Sequence, residues 1–148
     1  MSSYLTIVEA QAYYDTRLGT SPWDIADQVN RNKSLLMSTS IIDRLKYLGA
    51  RTDITQTNQF PRSGELVVPQ AIKDATAEIA LALLDGFDLE LEYENLNMVS
   101  QSFGKLKSTY DRSIIQEYKL AGVPSITAWR LLKPYLYDQL TVDLHRVS

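Results

Sequence analysis

The chain has 148 residues, of which 45% are hydrophobic and 22% charged, with a formal net charge of -3. That length supports one domain with a substantial core, and the acidic balance supplies no broad basic face of the kind that drives strong non-specific DNA binding. The lack of cysteine excludes disulfides, thiolate metal sites and cysteine nucleophiles. No apolar run approaches the roughly 18 to 20 residues of a membrane span, and Met1-Ser2-Ser3-Tyr4 does not read as a signal peptide, so use without export is expected.

Thr6-Ile7-Val8-Glu9 reads as a capping box that opens a helix to about Arg17, with Gly19 as its stop. Val8, Ala12 and Tyr13 are its expected core-facing positions. Ser21-Pro22-Trp23-Asp24 starts a second helix, with the serine as cap, the proline in the first turn and Trp23 as a core anchor. A longer helix is expected from Asp27 to Leu48. Ile41, Ile42, Leu45 and Leu48 share one of its faces, Leu35 and Leu36 lie about two turns earlier, and Gly49 ends it. Residues 50–68 are polar and turn-prone, and Pro61 and Pro69 forbid a continuous helix there. Pro69 then starts a helix to about Leu84, with Ile72, Ala75, Ile79 and Leu83 as its buried stripe and further alanines that permit close packing.

Leu89 to Glu94 alternates with period two but can also extend a helix. Apolar and polar residues alternate on both sides of Gly104, which predicts a β-hairpin at about residues 95–110. Residues 111–123 read as a linker or extended arm. Pro124-Ser125 starts a final short helix to Leu132, and Pro134 ends it. The expected fold is mainly α: a small helical bundle with a β-hairpin and an extended C-terminal arm. Residues 1–133 form the helical domain and 134–148 a docking arm. Its core anchors are Trp23, Ile42, Leu45, Ile72, Ile79, Leu83 and Trp129.

Catalytic chemistry finds little material. His145 is the only histidine and lies near the C-terminus without a visible partner. Nucleophile-elbow, phosphate-loop and dinucleotide-binding glycine patterns are all missing. Glu90, Glu92 and Glu94 would share a strand face able to hold a cation, but a solvated face explains them better. No enzyme, no metal and no cofactor is therefore expected. Phe103, Lys105 and Lys107 at the hairpin are candidates for channel or neighbour contact. The lysines fit phosphate contact, but protection of an exposed edge fits them better. Arg44 has Asp43, Glu78 or a neighbouring subunit as candidate partners. Tyr135, Leu136, Tyr137, Leu140 and Leu144 are too many apolar groups for a free tail. The tail either folds back on the domain or docks on a partner.

Several segments carry a resemblance in their order and spacing: Ser3-Tyr4-Leu5-Thr6 before Glu9-Ala10; Arg17-Leu18-Gly19 before Trp23; Ile42-Asp43-Arg44-Leu45; Phe60-Pro61-Arg62; Val68-Pro69 with Ile72-Lys73; Ala80 to Leu84; and Trp129 to Leu136. Across nearly its whole length the chain resembles small tailed-phage proteins described as DnaT-like single-stranded-DNA-binding proteins, a group that overlaps the head-tail connector or adaptor family. The resemblance implies a non-enzymatic structural protein of the virion neck, made in the host bacterial cytoplasm and forming rings of about twelve copies below the portal. Its partners would be the portal protein, tail, stopper or nozzle proteins, further copies of itself, and genomic double-stranded DNA passing without sequence-specific contact; no membrane is involved. The negative charge and the core-like aromatic positions favour that reading. The alternative is a single-stranded-DNA-binding replication protein that uses Lys105 and Lys107.

Overall fold

The computed structural model describes residues 2–88, 90, 91, 94 and 117–137. In chain order these form α1 (Ile7–Tyr14), α2 (Ser21–Asp24), α3 (Gln28–Asp43), α4 (Gln70–Leu84), α5 (Glu117–Leu120) and α6 (Ile126–Leu132). A 3-10 turn over Lys133–Tyr135 follows α6.

Local chemistry starts the helices. Thr6 and Glu9 make the expected capping box, each side chain accepting the other's backbone amide at 3.2 Å. Asp27 accepts from the Asn30 amide at 2.7 Å to start α3, and Ser125 accepts from the Ala128 amide at 3.2 Å to start α6. At α2 the cap is Thr20 rather than Ser21, and it uses no side-chain bond. The helices stop earlier than periodicity predicts, with α1 at Tyr14 and α3 at Asp43.

Helix α4 is the spine, and two apolar clusters lie against it. One contains Leu5, Ala10, Tyr14, Trp23, Leu35, Ala77, Ala80 and Leu81. The other is built from Tyr4, Ile41, Ile42, Tyr47, Phe60, Ile72, Ala75, Ile79, Val123, Ala128 and Leu132. The α3 face that turns inward carries hydroxyls as well as Leu35, Ile41 and Ile42. Ser34, Ser38 and Thr39 are buried, and their hydroxyls donate to the carbonyls of Arg31, Ser34 and Leu35 at 2.7, 2.7 and 3.0 Å. Satisfied inside their own helix, these short side chains need no further partner. Leu36, expected beside Leu35, is exposed instead, as is Met37. Likewise Ala10 and Tyr14 are the buried positions of α1, while Val8 is 79% exposed and Ala12 also faces out.

The expected fold class needs correction. The described residues are helical or irregular and contain no strand; they hold only two isolated antiparallel bridges, Tyr47 with Leu136 and Arg51 with Arg62. The β-hairpin is thus not part of the described fold, and its expected location, about 95–110, lies outside the described residues. Alternation over a handful of residues is too short to separate strand from helix. Where the ambiguous stretch after Asp88 is described, it is helical: Glu90, Leu91 and Glu94. The Asp88 carboxylate accepts the amides of Glu90 and Leu91 at 3.0 and 3.3 Å, a helix-starting contact that a strand reading ignores.

Candidate functional site

The most elaborate side-chain chemistry lies where α3 ends and the chain passes through residues 44–69. Asp43 closes α3. Its Oδ1 accepts the Tyr4 hydroxyl in a short hydrogen bond and the Gln59 amide at 3.3 Å, while Oδ2 is buried with no partner. Burial raises the carboxyl's pKa above the ordinary range, and burial with the neighbouring Asp43 raises that of the Tyr4 hydroxyl. Tyr4 in turn accepts the Phe60 amide at 3.2 Å. The Phe60 ring meets Tyr4, Tyr47 and Tyr135 edge-on at 6.2, 4.7 and 5.8 Å between centroids. The Phe60-Pro61 peptide bond is cis.

Arg62 holds this loop together. Its Nε donates to the Leu48 carbonyl at 3.0 Å, Nη1 to Gln59 O and Oε1 at 3.2 and 2.7 Å, and Nη2 to the carbonyls of Gly49 and Tyr47 at 2.6 and 3.5 Å. The planar fork thereby gathers two segments of chain, and its face lies over the Tyr47 ring at 5.9 Å. Gly49 has φ +75°, and a Cβ there would lie 2.3 Å from Ser63 Oγ, so the close approach needs glycine. A cavity of about 130 Å³ opens beside the clamp between Leu48, Phe60, Arg62, Pro69, Pro134 and Tyr135.

The start of the expected docking arm lies against this loop. Leu48 N donates to Tyr135 O at 2.9 Å and Tyr137 N to Lys46 O at 3.0 Å, around the bridge between Tyr47 and Leu136. Tyr47 and Leu136 pack on the core, while Lys46 and Tyr137, joined by that backbone bond, are both exposed.

Most other polar and aromatic groups are committed elsewhere. Arg17 donates to the buried Glu78 at 2.6 Å, and Tyr13 to the same oxygen at 3.1 Å. Burial and Glu78 push the Tyr13 hydroxyl up to about 12. Lys73 pairs with Glu9, and Lys133 with Glu117. Arg31 caps two carbonyls and lies over Trp23. Among the described residues, Lys33, Arg44, Lys46 and Arg130 are exposed cations whose side chains make no hydrogen bond or ion pair. Arg44 therefore joins neither Asp43 nor Glu78. Tyr137, 41% exposed, is the one aromatic side chain among the described residues that is exposed.

Of the expected core anchors, Trp23, Ile42, Ile72 and Ile79 are fully buried, and Leu45, Leu83 and Trp129 pack against the core from its margin. Leu48, expected beside them, is 51% exposed. Phe103, Lys105, Lys107, Leu140 and Leu144 lie outside the described residues. Among the described residues, no group of three or more acidic or histidine side chains is placed to hold a metal. Sequence reading missed the roles of Arg62 and Lys46. Arg62 stood in a noted Phe-Pro-Arg run, but nothing local told which carbonyls it gathers.

A protein-family model described as "Putative DnaT-like ssDNA binding protein" matches residues 1–147. No curated protein and no solved structure matches the chain.

Proposed function

The chain belongs to the DnaT-like single-stranded-DNA-binding protein family, and on that premise we propose that it is a non-catalytic protein that binds single-stranded DNA. The observation that carries this reading is the family match over residues 1–147. The exposed, unpartnered cations at Lys33, Arg44, Lys46 and Arg130 agree with it. With so few free cations among the described residues and a net charge of -3, binding is weak and local. Titrating a labelled oligo-dT with the full-length chain at rising salt tests it. Log affinity should fall with log salt by about 0.7 per phosphate contacted. Lack of salt-sensitive binding would remove the reading.

A second reading is the head-tail adaptor that the resemblance implies. Leu18, Ile25, Val29, Met37, Ile54, Leu66 and Val67 are all more than half exposed and leave apolar groups available for protein contacts. In this reading copies of the chain form a ring of about twelve below a phage portal. The segment from Tyr135 onward docks on the portal, tail or stopper proteins bind the other side, and genomic duplex passes through the virion neck. Sedimentation of the chain alone and mixed with the portal ring of its own phage separates the two. Stoichiometric addition to the portal favours the adaptor, and no association leaves the single-strand reading in place.

A further inference from the structure

We propose that the outer face of the Lys46–Tyr137 pairing is where a single strand of nucleic acid docks, with a base stacked on the Tyr137 ring and flanking phosphates met by Lys46 and Arg44. This rests on the single-strand reading and gives it a location. Single-stranded nucleic acid is recognised by an aromatic ring that offers its face to a base, beside cations that track the backbone. Among the described residues, only one aromatic side chain is exposed, and it lies directly across the chain pairing from one of the four unpartnered cations. A second such cation, Arg44, stands two residues away at the end of α3.

Tyr47 and Leu136 pack on the core, and Lys46 and Tyr137, bonded backbone to backbone beside them, are both exposed. Directly opposed side chains in an antiparallel pair have Cβ atoms about 4.5–5.5 Å apart, close enough for one nucleotide to touch both. The Arg62 fork holds the carbonyls of Tyr47, Leu48 and Gly49, so the platform is braced before any ligand arrives. Among the described acidic residues, Asp43 turns inward to Tyr4 and Gln59, Glu117 is engaged by Lys133, and Glu65 lines the cavity shared with Leu48 and Tyr135. Cations at a helix C-terminus also offset its partial negative charge, which accounts for Arg44 and Lys46 but not for the exposed ring beside them.

The test uses the full-length chain and fluorescence anisotropy with a labelled oligo-dT, a duplex of equal length as competitor, and four variants. Tyr137→Ala should weaken binding roughly 5- to 100-fold, while Tyr137→Phe, which keeps the ring, stays near wild type. Lys46→Glu should weaken binding and reduce the salt slope by about 0.7. Lys33→Glu makes the same change of charge on α3, at least about 15 Å along the helix from its end, and should have much the smaller effect. If the wild-type chain binds but Tyr137→Ala and Lys46→Glu behave like Lys33→Glu, this surface is wrong and the single-strand reading survives. If the wild-type chain shows no salt-sensitive binding, both fall. If the duplex competes as well as the single strand, base stacking on Tyr137 is overturned.

Discussion

The two apolar clusters on α4 are built by different means. The cluster around Trp23 and Tyr14 is a packing solution. Large rings lie against small α4 residues, Tyr14 donates to Ala77 O at 2.5 Å, and Trp23 donates to Gln11 at 2.8 Å. The cluster around Phe60 depends as much on polar ties: Tyr4 to Asp43, the Arg62 fork, and the pairing of residues 46–48 with 135–137. The first is continuous with helices whose caps are written locally. The second is assembled from segments far apart in sequence, and it is the one that presents free cations and an exposed ring. One cluster is thus held mainly by ring packing, the other by polar ties between distant segments as well.

The sharpest way to break that contrast is Trp23→Ala, which should cost about 3–5 kcal/mol, measured by urea unfolding, because a fully buried ring leaves a cavity that neighbours fill only in part. Arg62→Lys should cost less, roughly 1–3 kcal/mol, since a lysine cannot reproduce a fork that serves five acceptors. Its signature would be local: faster hydrogen exchange at the amides of Leu48 and Tyr137, with α1 and α4 little changed. An equal rise in exchange across α1 would deny the division between the two clusters.

The smallest effect is a pH dependence. Burial holds the folded-state pKa of Asp43 above its ordinary value of 3.8, so just above that value the folded chain binds more protons than the unfolded one. Stability from this group is therefore full below pH 3.8 and is lost as pH rises through the folded pKa. The stability of Asp43→Asn relative to wild type should accordingly improve as pH is raised from 3.5 to 7. A difference that stays flat would mean that this carboxylate is hydrated in the folded protein.

What could be read beforehand follows the same division. The Thr6–Glu9 box and the Ser125 cap are local chemistry and are legible residue by residue, whereas α1 and α3 end well before the expected stops at Gly19 and Gly49. The inward face of α3 is not legible, because apolarity points to Leu36, which is exposed. Ser34 and Ser38 go inside because their hydroxyls are satisfied by the preceding turn. The partner of Glu78 is Arg17, 61 residues away, and Lys46 meets Tyr137 across most of the chain. No local pattern encodes either. The strand alternative after Asp88 gave way to helix for a related reason: a short alternation carries little information by itself.

The double-sided burial of α4 has a consequence for how this sequence can drift. Ala75, Ala77 and Ala80 are completely enclosed. Ala75 touches one cluster and the other two touch its neighbour, so a single added methylene on this helix has no solvent to expand into. The tolerated changes are then displaced outward, to positions such as Lys46 and Tyr137 whose side chains carry none of the interior. A lineage of such chains is free to alter what it grips while its central helix stays all but frozen.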